Sequence, residues 1–78
     1  MHITLYVIKH NGFFINFSEQ GNLMKSKVVT SEFLFNSQVE ATTTAEYAVL
    51  FNKIDNTFTI HPVMLDIQEE IEIPSIVH

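Results

Sequence analysis

A short turn near the N-terminus constrains the fold more than any other feature of the sequence. Asn11-Gly12 lies between two runs rich in β-branched and aromatic residues, at 5–8 and 13–17. Asparagine and glycine tolerate the positive φ angles of a type I′ turn, which closes a two-residue β-hairpin. The sequence therefore predicts strands over 2–9 and 13–17 with this turn between them.

The segment that follows the hairpin is less regular. A polar turn at 18–22 precedes residues 23–35, in which apolar and polar residues alternate only loosely. We expect one long or bent strand here, or two shorter strands.

Residues 37–54 fit two different structures. Ser37 and Glu40 have capping-box spacing, and apolar residues recur at helical spacing from 39 to 54. Against a helix stands the β-branched run at 42–44, which lowers helix propensity. The alternative is a second hairpin, with strands at 47–51 and 57–60 around a polar turn at 52–56. The hairpin is the preferred interpretation, and the helix remains open.

The C-terminal segment alternates with a period of two. Apolar residues occupy odd positions and polar residues occupy even positions over most of 65–73. This pattern predicts a half-buried strand with an acidic outer face, ended by Pro74 and located at a sheet edge.

Taken together, these segments predict one mainly β domain over 1–78. We expect a small antiparallel sheet or a partly open barrel of five to six strands, and a single helix in 37–54 would make the fold α+β. A chain of 78 residues has a marginal core, and without cysteine it has no disulfide to stabilise it. Because 46% of the residues are hydrophobic, we expect some apolar side chains at a surface that binds another protein.

The charge distribution restricts the partner. Residues 1–30 carry three lysines against one acid, which gives +2, and residues 31–78 carry one lysine against eight acids, which gives −7. Phosphate contacts need clustered lysine and arginine, and this chain has no arginine, so direct nucleic-acid binding is not expected. An acidic C-terminal half favours a protein partner with a basic surface.

The sequence has no pattern typical of an enzyme or of a cofactor site. The four histidines lack metal-ligand spacing, no serine lies in a Gly-x-Ser-x-Gly motif, and no phosphate-binding glycine loop is present. We therefore expect no catalysis, metal, cofactor or small-molecule substrate. Without an apolar run of roughly 20 residues or a basic leader, we expect no membrane contact and a cytoplasmic location.

Two groups of residues are candidates for partner binding. The first is an acidic array in the C-terminal segment: Asp66, Glu69, Glu70 and Glu72. Its charges resemble a row of phosphates and predict a small acidic inhibitor, of the kind that phages or mobile elements encode, which mimics DNA and blocks a basic site on a host protein or immune complex. The second group consists of aromatic residues that would serve a dimer interface: Phe33, Phe35, Tyr47, Phe51 and Phe58.

One segment resembles a known family. Residues 46–60, continuing to Ile67-Gln68, are similar to the strand-turn-strand of transcription elongation factors that pair with a larger partner in a TFIIF-like dimerisation barrel. The resemblance implies a heterodimerising β subunit. It does not extend to the rest of the chain, and no family is assigned from it. The alternative function is thus a β-rich structural subunit or adaptor that pairs with itself or with another chain, for example in a transcription-factor complex.

Overall fold

The computed structural model describes residues 2–66, which form one antiparallel sheet and one helix. The strands are β1 (His2–His10), β2 (Phe13–Phe17), β3 (Leu23–Ser26) and β4 (Thr59–Asp66), and helix α1 (Gln38–Leu50) lies between β3 and β4 in the chain. The order of strands across the sheet is β3-β2-β1-β4. Within the described residues the sheet has four strands and does not close, so the predicted barrel of five to six strands is wrong.

The N-terminal hairpin is confirmed. His10 pairs with Phe13, and the two residues between them have positive φ angles, 52° for Asn11 and 81° for Gly12. These are the angles that a type I′ turn requires. The turn therefore fixes the register in which Ile8 lies opposite Ile15.

Strand β4 runs along the other side of β1 over its whole length. The pairs extend from Lys9 with Thr59 to His2 with Asp66. This single strand joins two segments that the sequence analysis kept apart, the partner strand at 57–60 and the beginning of the acidic strand at 65. Residues 67–73 of that predicted strand lie outside the described part of the chain.

The long strand predicted over 23–35 is only partly present. Strand β3 stops at Ser26, whose Oγ accepts a hydrogen bond from the Val28 amide at 3.1 Å. Such a local side-chain bond competes with the strand ladder. Beyond it the chain forms a short 3₁₀ helix, Ser31–Phe33, and then a single bridge in which Phe35 pairs with Tyr6 of β1.

Residues 38–50 are helical, so the preferred hairpin interpretation of 37–54 is wrong and the helical alternative is correct. Ser37 caps the N-terminus, since its Oγ accepts from the Glu40 amide at 3.1 Å. At the other end Asn52 has a φ of 59°, and the Lys53 amide donates to the Ala48 carbonyl at 2.8 Å. These features are those of a Schellman motif, in which a residue with positive φ ends a helix. The strand-turn-strand resemblance over 46–60 is not supported either, because its first strand lies in α1.

The core lies between α1 and the sheet. Three alanines at steps of four and three face inward, and all three are completely buried: Ala41, Ala45 and Ala48. Ala41 and Ala45 belong to one buried cluster with Ile8, near the C-terminal end of β1, and Ile15, at the middle of β2. Alanine has a short side chain, so the helix axis can approach the sheet closely. The inner face of α1 is therefore made of small residues.

Candidate docking surface on the outer face of the helix

The outer face of α1 carries the large apolar side chains that its inner face lacks. We call this surface, formed by Val39, Thr43, Glu46, Tyr47, Leu50 and the adjoining Phe51, the helix outer face. Val39 is 74% exposed and Leu50 is 72% exposed, although both are aliphatic. A helix normally turns its large apolar residues toward the core and its small or polar residues toward solvent. In α1 that arrangement is reversed.

Two aromatic rings are stacked at the C-terminal end of this surface. The centroids of Tyr47 and Phe51 are 5.2 Å apart with 15° between the ring planes, and both rings are more than half exposed. They form one side of a groove of about 380 Å³, which is also lined by Asn16, Phe17, Gly21 and Thr44. The groove thus lies between α1 and the chain at and beyond the end of β2.

The N-terminal end of the same surface is concave. Gln38, Val39, Thr42 and Thr43 line a shallow depression of about 260 Å³. All four are small or medium-sized side chains. A single helix therefore presents a depression in its first turns and bulky apolar groups in its last turn.

Charges are distributed unevenly around this surface. Helix α1 contains Glu40 and Glu46 but no basic residue. Three lysines instead lie against aromatic rings of the hairpin: Lys25 and Lys27 have Nζ 5.1 and 5.6 Å from the centroid of Phe13, and Lys9 has Nζ 5.8 Å from that of Phe14. Cation–π contacts of this kind hold the ammonium groups near the sheet. The helix outer face is consequently apolar with an acidic component.

The outer edge of the sheet is less suited to binding a partner. Tyr6 directs its backbone amide and carbonyl toward Phe35, so the Tyr6–Pro62 pair makes no backbone hydrogen bond between β1 and β4. Pro62 therefore directs its nitrogen toward the outer edge of β4, where proline has no N–H to offer. A proline at this position interrupts the row of donors that an added strand would need.

The structure separates the predicted aromatic residues into two groups. Phe33 and Phe35 are only 6% and 9% exposed, and the half-buried Phe58 packs against the core cluster. These three side chains belong to the interior. Tyr47 and Phe51 are the two that lie at the surface, and they lie together.

Of the predicted acidic array, only Asp66 falls within the described residues. It lies at the end of β4 with its side chain 62% exposed, and its Oδ1 is 3.8 Å from His2 Nδ1. Glu69, Glu70 and Glu72 lie outside the described part of the chain. Whether the four carboxylates form one surface stays a prediction.

Val39 and Leu50 were missed as surface residues. Their helical spacing placed them on one face of the helical alternative together with Tyr47, but neither was predicted to bind a partner. A contrary signal was present in the sequence: alanines at 41, 45 and 48 share a face of their own at the same spacing. Two apolar faces on one helix predict that one packs on the sheet and the other is left exposed.

One polar cluster connects the loop after α1 to the hairpin. Thr57 donates to Asp55 through its hydroxyl and its amide, and His10 Nε2 lies 2.8 Å from Asp55 Oδ1. These hydrogen bonds, led by that of the Thr57 hydroxyl, lower the pKa of Asp55 to about 2. The Asp55 carboxylate is solvent-exposed, and its Oδ1 atom takes part in all three of these contacts. The cluster therefore joins the loop after α1 to the end of β1.

Among residues 2–66, no three histidine, aspartate or glutamate side chains converge as metal ligands. The one α-helix of the described region is too short and too polar to cross a membrane. Comparison with protein-family models, with curated proteins and with solved structures gives no match. The function is accordingly inferred from the surfaces of the chain itself.

Proposed function

We propose that the chain is a non-catalytic protein-binding module that docks through the helix outer face. The observation that carries the proposal is the reversed helix, in which Val39, Tyr47 and Leu50 face solvent while alanines face the core. Exposing large aliphatic and aromatic groups is unfavourable in water, at roughly 25 cal/mol for each Å² of apolar surface left uncovered. A partner that covers this face recovers that free energy.

The character of the surface favours a protein as the partner. Interfaces are enriched in aromatic residues and depleted of charge at their centre. The Tyr47–Phe51 stack supplies rigid apolar area, and Glu46 is the single charged residue of the helix outer face. The occupant matched to such a face is an apolar surface of another protein.

The narrower prediction, an acidic inhibitor that blocks a basic site, rests on other residues. Of those residues, the described Asp66 has an exposed side chain at the end of β4. A docking event led by charge loses affinity steeply as salt is added, whereas one led by apolar contact does not. Salt dependence of binding therefore separates the two proposals.

Photo-crosslinking in the cell that makes the protein tests the helix outer face directly. Leu50→p-benzoylphenylalanine places a reactive group on this surface, at a side chain that is 72% exposed. The matched control is Lys9→p-benzoylphenylalanine, because Lys9 is exposed and alternates along β1 with Ile8, which packs under α1, so it lies on the opposite face of the sheet. We expect ultraviolet light to give an adduct of one defined mass from position 50 and none from position 9. Equal adducts from both positions, or none from position 50, would refute the proposed docking surface.

A further inference from the structure

We propose that the first half of β1 is a second binding surface, at which an extended segment of another protein adds a strand to the sheet. The surface is the side of residues 2–5 that faces away from β4, and we call it the open edge. The open edge belongs to the sheet and not to the helix outer face, so a partner here is separate from the one in the proposed function.

The open edge exists because β1 is longer than its neighbour on that side. Strand β2 pairs with residues 8–10 of β1, and Phe35 then forms a single bridge to Tyr6. After this bridge the chain enters α1, whose N-cap is Ser37. Among residues 2–66, no strand pairs with 2–5 on this side, although β4 pairs with all of them on the other.

The backbone groups of His2 and Thr4 point toward the open edge. Successive residues of a strand direct their amides and carbonyls to opposite sides. Tyr6 exchanges both of its hydrogen bonds with Phe35, at 2.9 and 2.8 Å. Thr4 and His2 follow at steps of two from Tyr6, so their amides and carbonyls face the same side. The open edge therefore presents two donors and two acceptors in a row.

Such a row is complementary to another extended backbone, whose own amides and carbonyls repeat at the same spacing. Side chains narrow the choice further. Ile3 and Leu65 form a cross-strand pair, 38% and 39% exposed, and the half-buried pair of Leu5 and Val63 lies beside it on the same face. In antiparallel pairing, a residue opposite Ile3 occupies a non-hydrogen-bonded position, where side chains approach most closely. The occupant is thus an extended segment with a β-branched or aromatic residue opposite Ile3.

The other edges of the sheet carry features that oppose strand addition. Pro62 interrupts the edge of β4, and β3 has only four residues, one of them the exposed Lys25. Residues 2–5 contain neither proline nor lysine. With 63–66 they form a two-stranded ribbon beyond the end of β2, and a two-stranded ribbon is marginally stable until a third strand joins it. A second copy would bring another net charge of −5, so a different chain is favoured as the source of that strand.

Proline substitution tests the open edge while keeping the hydrogen bonds between β1 and β4. Thr4→Pro deletes the amide that faces the open edge, and Thr4 and Met64 form a non-hydrogen-bonded pair, so β4 loses no bond. The fold should survive. Thr4→Val is the matched control, because it retains the amide and a β-branched side chain. Ile3→Lys is a second variant that keeps every backbone group and places a charge where an apolar residue should dock.

A phage-displayed library of random peptides, selected on the native chain, is the probe. The enriched peptides should bind Thr4→Pro about tenfold more weakly, which corresponds to one lost hydrogen bond, and Thr4→Val as tightly as the native chain. Ile3→Lys should also bind them more weakly. N-methylation of the peptide backbone should prevent binding at alternate residues only, as in a strand. Failure to enrich any peptide, or equal binding to the native chain and to both Thr4→Pro and Ile3→Lys, would overturn the proposal.

Hydrogen exchange of the Thr4 amide, measured by NMR on the unmodified chain, tests the other occupants. We expect fast exchange in the free chain and slow exchange when an enriched peptide is bound. Slow exchange in the dilute free chain would mean that the chain covers this edge itself. Slow exchange at high concentration alone would assign the edge to a second copy. Either result would overturn the proposal, and neither would affect the photo-adduct expected from position 50.

Discussion

The two faces of helix α1 differ more than any other pair of surfaces in the molecule. The inner face consists of completely buried alanines that pack over Ile8 and Ile15. The outer face holds the bulkier Val39, Tyr47 and Leu50, which are more than half exposed. Small residues inside allow close packing on the sheet, and large residues outside stabilise the isolated chain little.

This difference shows which of the two faces the monomer needs for its own packing. A marginal core of this size gains from each large side chain that it buries. Leaving Leu50 and Val39 outside is unfavourable for a monomer and favourable for a complex. Under the proposed function, the inner face serves folding and the outer face serves association.

The largest expected effect comes from placing the same charge on each face. Ala45→Glu puts a carboxylate in a fully buried site without a partner and should lower the free energy of unfolding by about 3 kcal/mol or more. Thr43→Glu, on the outer face, should change it by about 0.5 kcal/mol or less and should weaken docking of a partner there. Urea denaturation measures both values. Equal losses for the two variants would contradict the comparison.

A smaller effect is expected at the hairpin, which aligns the strands beneath the inner face. Gly12 has a φ of 81°, and no atom lies within 4 Å of where a Cβ would be, so a side chain there is opposed only by the backbone angle. Gly12→Val should lower the free energy of unfolding by roughly 1 kcal/mol or more.

Gly12→Asn is the matched control, because asparagine tolerates positive φ and should cost less. Both variants leave the outer face unchanged, so the folded fraction should give the same photo-adduct from position 50 as the native chain does. A valine variant as stable as the native chain would show that the turn does not set the register.

The strands near the N-terminus were predictable because their signals are local. Asn11-Gly12 and the flanking β-branched runs determine a hairpin without reference to the rest of the chain. The helix over residues 38–50 was not predictable in the same way, because the β-branched run at 42–44 lowers the local helix propensity. What decides for the helix is the cap at Ser37, the Schellman motif at Asn52 and the packing of three alanines. The cap spacing and the alanine spacing can be read from the sequence, whereas the Schellman motif and the packing itself cannot.

The candidate site was predictable in part, for a related reason. Aromatic residues were expected at an interface, and Tyr47 with Phe51 lie at the surface. Phe33 and Phe35 do not, because the segment after β3 folds back to pair with Tyr6 and carries them into the interior. Composition predicts that the chain has more apolar residues than its core can bury, but only the tertiary fold decides which of them are exposed.

The smallest expected effect concerns pH, and it should leave both faces of α1 unchanged. Hydrogen bonds from the Thr57 hydroxyl, from His10 and from the Thr57 amide lower the pKa of Asp55 from 3.8 to about 2. Because the folded-state pKa lies below the unfolded one, Asp55 contributes stability that is complete above about pH 4 and is lost as the pH falls from 4 toward 2. Asp55→Asn should reduce the slope of unfolding free energy against pH in that window, and Thr57→Val should reduce it in part. NMR titration of the Asp55 carboxyl carbon gives the pKa directly, and a midpoint near 3.8 in the native chain would show that the cluster does not hold the carboxylate.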